Sequence, residues 1–446
     1  MKKDIAKKLL TEAQKRYDEA EVYAVSSTAI GLTSYQRELE KYSMAEDAGM
    51  NIQVRKGDLW VSTYTEKISE DVIPTLLQKL DESLEVAEAK PEKALYHPPT
   101  DEEWKELSLA PAPEFSTDEM MKIALELDEL VHQKGDDIFS VSVDINTAIS
   151  KRLLLNSAGL EREESSQYHL LLLSPVIKRG EKMDSTYVFR LIKDQDNLDL
   201  QGLVDEAYEK ATAFFEAKSV APGKYPIIMD QNCTASLISA MMMMFSADIV
   251  QKGMSMLKDK VGEEIASPVF TLIDDPLHPE GFVQSSFDGE GLPTYALPLI
   301  KNGKLETYLY NLETAAKDKV ESNARAQRSY KGESSPGAST LVIEPGEKNM
   351  DELMQSIGNG LIITDLQGLH SGLDPISGDF SLPAKGFRIK DGKKAEAVNQ
   401  ITVASNFFQF IKDITEVGAD SKLTLNGAVM PPIAIKEISV SGEEAE

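Results

Sequence analysis

TYALPLIKNGKLETYLYNL, residues 294–312, reads as two β-strands folded back on each other at Asn302-Gly303. Asn-Gly supplies the two positive-φ residues that a tight two-residue hairpin turn requires, and the flanks are rich in leucine and aromatic residues. The pattern recurs on both sides. PVFTLID (268–274), STLVIEPG (339–346), GLIITDLQGL (360–369), GFRIKDGK (386–393) with its own Asp391-Gly392 turn, NQITVAS (399–405) and PIAIKEISVSG (432–442) are short strand-like runs bounded by turn residues. Strands linked by hairpins predict a mixed or antiparallel, barrel-like sheet rather than a doubly wound parallel one. APGKYPIIMD (221–230) marks the entry into this region.

Upstream, helices alternate with groups of strands. Ile5, Leu9, Leu10 and Ala13 fall on one helical face. EVYAVSS (21–27) and MNIQVRKGDLWVSTYT (50–65) alternate in polarity, with Lys56-Gly57-Asp58 as a hairpin tip, and ISEDVIPTLLQKLDESLEVA (68–87) has helical spacing behind Ser69. Residues 88–115 are rich in proline and acidic side chains without periodicity and read as a connector. A second round follows: a helix from Thr117, strands in FSVSVDINTAIS (139–150), KRLLLNS (151–157), YHLLLLSPVIKRG (168–180) and STYVFRLI (185–192), then a helix from Leu200 to Lys218. SSTAIG (26–31) resembles INTAIS (145–150), a short echo of the kind a duplication leaves. The expectation is an α+β fold of two domains: residues 1–220 as an α/β domain of antiparallel strands with flanking helices, and 221–446 as a β-rich, barrel-like domain.

At 446 residues, with 41% hydrophobic and 27% charged, the chain is long enough for two cores and is composed like an ordered globular protein. Asp and Glu number 74 against 47 Lys and Arg, a net charge of −27 that repels a phosphate backbone and an anionic membrane surface. Direct nucleic-acid or membrane binding is therefore not expected. Cys233 is the only cysteine, so no intramolecular disulfide can form. Asp4, Lys7, Lys8 and Glu12 interrupt the first segment where a signal peptide needs an apolar stretch, which places the expected location in the cytoplasm.

The segment TASLISAMMMMFSADIV (234–250) holds four consecutive methionines. It is too short to span a bilayer, which takes about 18 or more apolar residues. Successive helical residues turn by about 100°, so Met241, Met242, Met243 and Met244 cannot converge on one ion. A helix buried on most sides, with flexible thioethers filling uneven gaps, is the plainer reading. The five histidines show no metal-ligand spacing. His370-Ser371 in GLHSGLD lacks the order of a nucleophile elbow and reads as a glycine-rich turn. Asp288 and Glu290 in SSFDGEGLP, and Asp274, Asp275 and His278 in LIDDPLHPEG, lie in turn-forming contexts first and offer acid–base or ligand chemistry second. There is no phosphate-binding loop and no dinucleotide fingerprint.

AEVYAVSSTAIGL (20–32), FDGEGLPT (287–294), GNGLIITDLQGLHSGLDPISGDFSLPAKGFRIKDGK (358–393) and ITVASN (401–406) together resemble the TldD/PmbA family, with Ser377–Ser381 followed by Gly386-Phe387 the most specific part. The family is associated with DNA gyrase modulation, zinc-dependent peptidase activity and peptide maturation. In its TldD branch, the resemblance implies, the helix at 234–250 carries His-Glu-x-x-x-His and a C-terminal cysteine completes a zinc site. Those positions fall here on Ser239, Ala240, Met244 and near Asn426. A hydroxyl, a methyl, a thioether and an amide are no zinc ligand set, and the general base is missing. The sequence is thus similar to the PmbA (TldE) branch. Ser405, where glycine is common, and Asn399-Gln400, where an acidic residue is expected, depart from the usual pattern.

The resemblance implies a non-metallated subunit of a peptidase system, inactive alone, without a cofactor of its own. Its partner would be a TldD-like zinc-bearing subunit, or a second copy of itself, and its substrate a peptide or unfolded protein. Met241, Met244, Asp288, Glu290, Gly378, Asp379 and Phe380 are the peptide-cleft candidates. Two other classes stand beside this reading: an autonomous metal-independent peptidase using Asp288, Glu290 or Asp379, and a non-catalytic binding regulator of the gyrase-modulator type.

Overall fold

The computed structural model describes residues 2–99, 115–193 and 198–443. Of the connector read at 88–115, residues 100–114 lie outside the described residues. The chain is α+β, built around one large antiparallel sheet and a C-terminal barrel.

The large sheet has the order β3-β2-β1-β4-β5, where β1 is Glu19–Tyr35, β2 Glu38–Lys56, β3 Leu59–Thr65, β4 Ile138–Asn156 and β5 Glu161–Arg179. Two short strands, β6 (Lys182–Ser185) and β7 (Val188–Leu191), both pair with β5. Helices cover one face at its two ends. At one end α1 (Lys3–Gln14) and α2 (Ile73–Leu84) press Leu9, Leu76, Leu77 and Leu80 onto Val22, Ile52, Val54 and Leu155. At the other, α3 (Thr117–His132) and α4 (Leu200–Thr212) press Leu127, Val131 and Leu203 onto Leu32, Val143, Ile145 and Leu171. Each fully buried aliphatic side chain of this kind contributes about 1.5–3 kcal/mol.

The two rounds are related by a local two-fold. β1 and β4 run antiparallel with Ala29 opposite Ala148, Thr28 opposite Ile149 and Ile30 opposite Thr147. The matching Thr-Ala-Ile tripeptides of SSTAIG and INTAIS therefore cross at the centre of the sheet, and helix–strands–helix is repeated about that point. FSVSVDINTAIS and KRLLLNS are one continuous strand, not two, and β2 begins twelve positions before the apolar run that marks it in the sequence.

The barrel closes five strands: Lys393–Asn406, Asp379–Lys390, Gly360–Leu366, β8 (Gly223–Met229) and Ile433–Ser441, which pairs back onto the first. All pairs are antiparallel except Gly360–Leu366 with β8. Ile227 and Met229 point into the main C-terminal core, whereas Ile228 lies beneath the helix Met350–Ile357 on the outside. A second, open sheet carries the 294–312 hairpin, with Leu297–Lys301 paired to Lys304–Leu305 and Asn302 and Gly303 at φ 49° and 82°.

The opposite face of the large sheet sits on this C-terminal half. Tyr23 and Leu154 share a core with Phe287 and Tyr330. Arg328 forms a nearly solvent-free ion pair with Glu21, donates to Asn51 Oδ1 at 3.0 Å and lies 5.0 Å from the Tyr23 ring. A Cβ at Gly49 would stand 2.1 Å from the Tyr330 ring, so the junction needs glycine there.

Candidate functional site

Helix α5 (Gln231–Ala240) follows β8 directly and packs on the barrel strand Gly360–Leu366 and on Val429–Met430 of the open sheet. Asp230 caps it, accepting from the Cys233 N–H at 2.8 Å, and burial pushes the Asp230 carboxyl up to about 6. The helix does not continue through the methionines as the sequence suggests. It ends at Ala240, gives way to a 3-10 turn over Met242–Phe245, and resumes as Ala247–Gln251. The cause is tertiary: Leu309 N–H donates to the Phe245 carbonyl at 2.8 Å and the Ala247 N–H donates to the Leu309 carbonyl at 3.0 Å, a strand-like bridge that pulls Ser246 extended. Met241 and Met244 are fully buried, while Met243 is 39% exposed.

Segment Asp420–Gly427 lies alongside α5. Gln231 Nε2 donates to the Asp420 carbonyl at 2.7 Å near one end, and Asn426 Nδ2 donates to Ser239 Oγ at 3.2 Å near the other. The family-implied zinc positions Ser239 and Asn426, 187 residues apart, are thus in direct contact. Ala240 is half-buried beside them, and Met244 is turned into the core. The donors do not fit zinc. An amide hydrogen is spent on a neutral hydroxyl, Asn426 Oδ1 accepts from Thr424 Oγ at 2.5 Å, and no imidazole, thiolate or carboxylate belongs to the set. Among the described residues, no three His, Cys, Asp or Glu side chains come together as a metal-holding group. Gly427 brings its turn against Phe282, whose ring centroid lies 5.4 Å from that of Tyr168 on β5.

The seven cleft candidates separate into three places. Met241, Met244 and Phe380 belong to the main C-terminal core. Gly378 and Asp379 form a turn on which Asn406 Nδ2 donates to the Ser377 carbonyl and to Asp379 Oδ1, both at 2.9 Å. Asp288 and Glu290 lie at the junction of the two halves. Asp288 accepts from the N–H groups of Glu290, Leu292 and Ala326, each at 3.0 Å, and Glu290 accepts from Leu312 N–H at 2.8 Å and Ser334 Oγ at 2.5 Å. Burial pushes both carboxyls up, Glu290 to about 8 with the Asp288 charge adding to it. Asp274 is likewise buried, in an ion pair with Arg325. Ser371 donates to the Gly368 carbonyl at 3.2 Å, in a turn. Sequence reasoning missed Phe282, Tyr168 and the cations around the first turn of α5, which come from segments with no shared motif.

Two family models match the chain: the PmbA/TldA metallopeptidase central domain over residues 110–214 and the PmbA/TldA metallopeptidase C-terminal domain over 222–442. A metalloprotease of Methanothermobacter thermautotrophicus is 26% identical over 434 residues, covering 93% of this chain and 91% of its own. Metalloprotease PmbA of Escherichia coli O157:H7 is 23% identical over 446 residues, covering 97% and 94%. Among solved structures, a candidate modulator of a DNA gyrase from Thermotoga maritima superposes with a TM-score of 0.90 at 26% identity, over 99% of this chain and 100% of that one. TldE from Thermococcus kodakarensis shares the fold at a TM-score of 0.88 and 22% identity, over 98% and 100%. With both family models matched along one chain and the fold shared over its length, this protein belongs to the PmbA/TldD family.

Proposed function

We propose that this chain is the metal-free, PmbA/TldE-like subunit of a TldD/PmbA-type peptidase system in the cytoplasm, acting in peptide processing or proteolysis with a zinc-bearing TldD-like subunit. The observation that carries the reading is the Ser239–Asn426 hydrogen bond at the family's metal positions. Two neutral groups that satisfy each other leave no lone pair arrangement for zinc and no base for a water. The path proposed for the peptide runs along α5 beside Asp420–Gly427, near the Gly427 turn that lies against Phe282. Met241 and Met244 are fully buried in the C-terminal core just past the end of α5, and the Gly378-Asp379 turn belongs to the same half of the molecule. The autonomous-peptidase reading is less well supported, because Asp288 and Glu290 are buried and already accept from backbone N–H groups.

The test combines metal content with reconstitution. The purified chain, loaded with zinc and freed of excess, should retain less than about a tenth of an equivalent, since it lacks a deprotonatable ligand set. It should cleave an unfolded protein only after mixing with a TldD-like subunit. Stoichiometric zinc on the isolated chain, or full proteolysis without a partner, would overturn the reading.

A further inference from the structure

A cleft of 520 Å³ opens where β7 and α4 meet the first turn of α5 and Ser421–Leu423. Its lining carries four cations against three carboxylates, a small excess opposite in sign to the charge of the molecule. In a chain with a net charge of −27, this cleft gathers Arg190, Lys193, Lys210 and Lys422. Three carboxylates also line it. Glu206 is committed to Arg190 and Lys210, at 2.5 and 2.8 Å, and Asp230 is committed to the α5 cap. Glu280 is at the exposed rim. Lys193 and Lys422 have no ion-pair partner among the described residues.

Two further features point to an anion. The N–H groups of Gln231 and Asn232, in the first turn of α5, have no intrahelical acceptor and carry the positive end of the helix. Ser421 Oγ, on the cleft wall, is buried without a hydrogen-bond partner. A hydroxyl left without a partner is unfavourable, and a ligand oxygen brought to it would relieve that. Val188, Phe189, Leu191 and Leu423 line the remainder, an apolar shelf beside the charge.

We propose that this cleft binds the carboxylate of a peptide, held by Lys193, Lys422, Ser421 and the first turn of α5. The inference rests on the peptide-processing reading above and names what part of the peptide this subunit grips. Seven residues separate Asn232 from Ser239, about 10 Å of helix at 1.5 Å per residue. An extended peptide covers that distance in about three residues. A peptide laid along α5 would therefore place the gripped carboxylate about three residues from the Ser239–Asn426 contact. It is either the chain terminus or an acidic side chain at that spacing.

The test uses the full chain and calorimetric titration of three unlabelled heptapeptides: one free of acidic residues with a free C-terminus, the same with a C-terminal amide, and the amide carrying one internal glutamate. The free acid should bind at least about tenfold more tightly than the amide, the scale of one or two charge-assisted hydrogen bonds, and the advantage should shrink as salt is raised. Recovery of affinity by the internal glutamate assigns the grip to acidic side chains, and its absence assigns it to the chain terminus. The Lys193→Ala/Lys422→Ala double variant should keep its melting temperature and lose the preference. Equal affinity for acid and amide, a preference intact in the double variant, or no saturable binding up to about 5 mM peptide would each overturn the proposal. Equal binding of acid and amide leaves the peptide-subunit reading standing, because reconstitution with the TldD-like partner tests that separately.

Discussion

Glu290 is a carboxyl that looks catalytic, but its burial and the neighbouring Asp288 charge favour its protonated form. Its two oxygens accept from Leu312 N–H and Ser334 Oγ, and it is buried beside Asp288 with a carboxyl pushed up to about 8. A folded-state pKa above the ordinary carboxylate value means that the protonated form favours folding. The contribution is therefore complete below about 4.5 and is lost as pH rises through about 8. Glutamine reproduces the protonated acid: its carbonyl can accept from Leu312 N–H while its amide donates to Ser334 Oγ. Glu290→Gln is expected to be folded and to flatten the decline in melting temperature between pH 5 and pH 8, measured by calorimetry against the wild type. A variant whose melting temperature falls with pH as steeply as the parent would show that Glu290 is ionised in the native state.

At the scale of elements, what was legible in the sequence depended on whether both faces of a strand are buried or polar. The Asn302-Gly303 and Asp391-Gly392 turns, the helix from Thr117 and the 360–369 strand follow from local signals alone, because turn chemistry and burial act there together. The first half of β2, from Glu38 to Ala48, carries no such signal; most of it is exposed, and it is a strand only because β1 pairs with it. The break in the methionine helix was equally hidden, since its cause is Leu309, more than sixty residues away. The pairing of Ser239 with Asn426 was accessible through family resemblance, whereas the cleft at the first turn of α5 was not, because its residues come from five unrelated segments. The break has a measurable consequence. Met243→Lys should change stability in urea by less than about 0.5 kcal/mol, and Met244→Lys should cost about 3 kcal/mol or more, because only the second buries a charge. Similar losses from both would mean that the segment is one continuous buried helix.

At the scale of the whole molecule, the two halves are joined by buried polar contacts beside the apolar core of Tyr23, Leu154, Phe287 and Tyr330. Arg152 reaches from β4 to the Phe287 carbonyl and stacks 3.9 Å from its ring, while Glu164 accepts from Ser286 N–H at 2.6 Å. Arg328 reaches the other way, to Glu21 and Asn51, with both charged side chains 2% exposed or less. Removing one partner from such a pair leaves a buried charge uncompensated, which costs about 3–5 kcal/mol, whereas replacing both removes the charge altogether. Arg328→Ala is accordingly expected to lower stability by about that amount and to speed proteolysis between the halves. Adding Glu21→Gln to Arg328→Ala should recover more than half of the loss, because Gln53 Nε2, which donates to Glu21 at 2.6 Å, keeps a carbonyl acceptor. The decisive comparison is a double-mutant cycle read by urea unfolding and by the activity of the reconstituted pair. A double variant as stable as the wild type but inactive with a TldD-like partner would mean that the ion pair sets how the two halves sit together. A double variant no better than Arg328→Ala would mean that the contact is held by the packing of Tyr23, Phe287 and Tyr330 and not by charge.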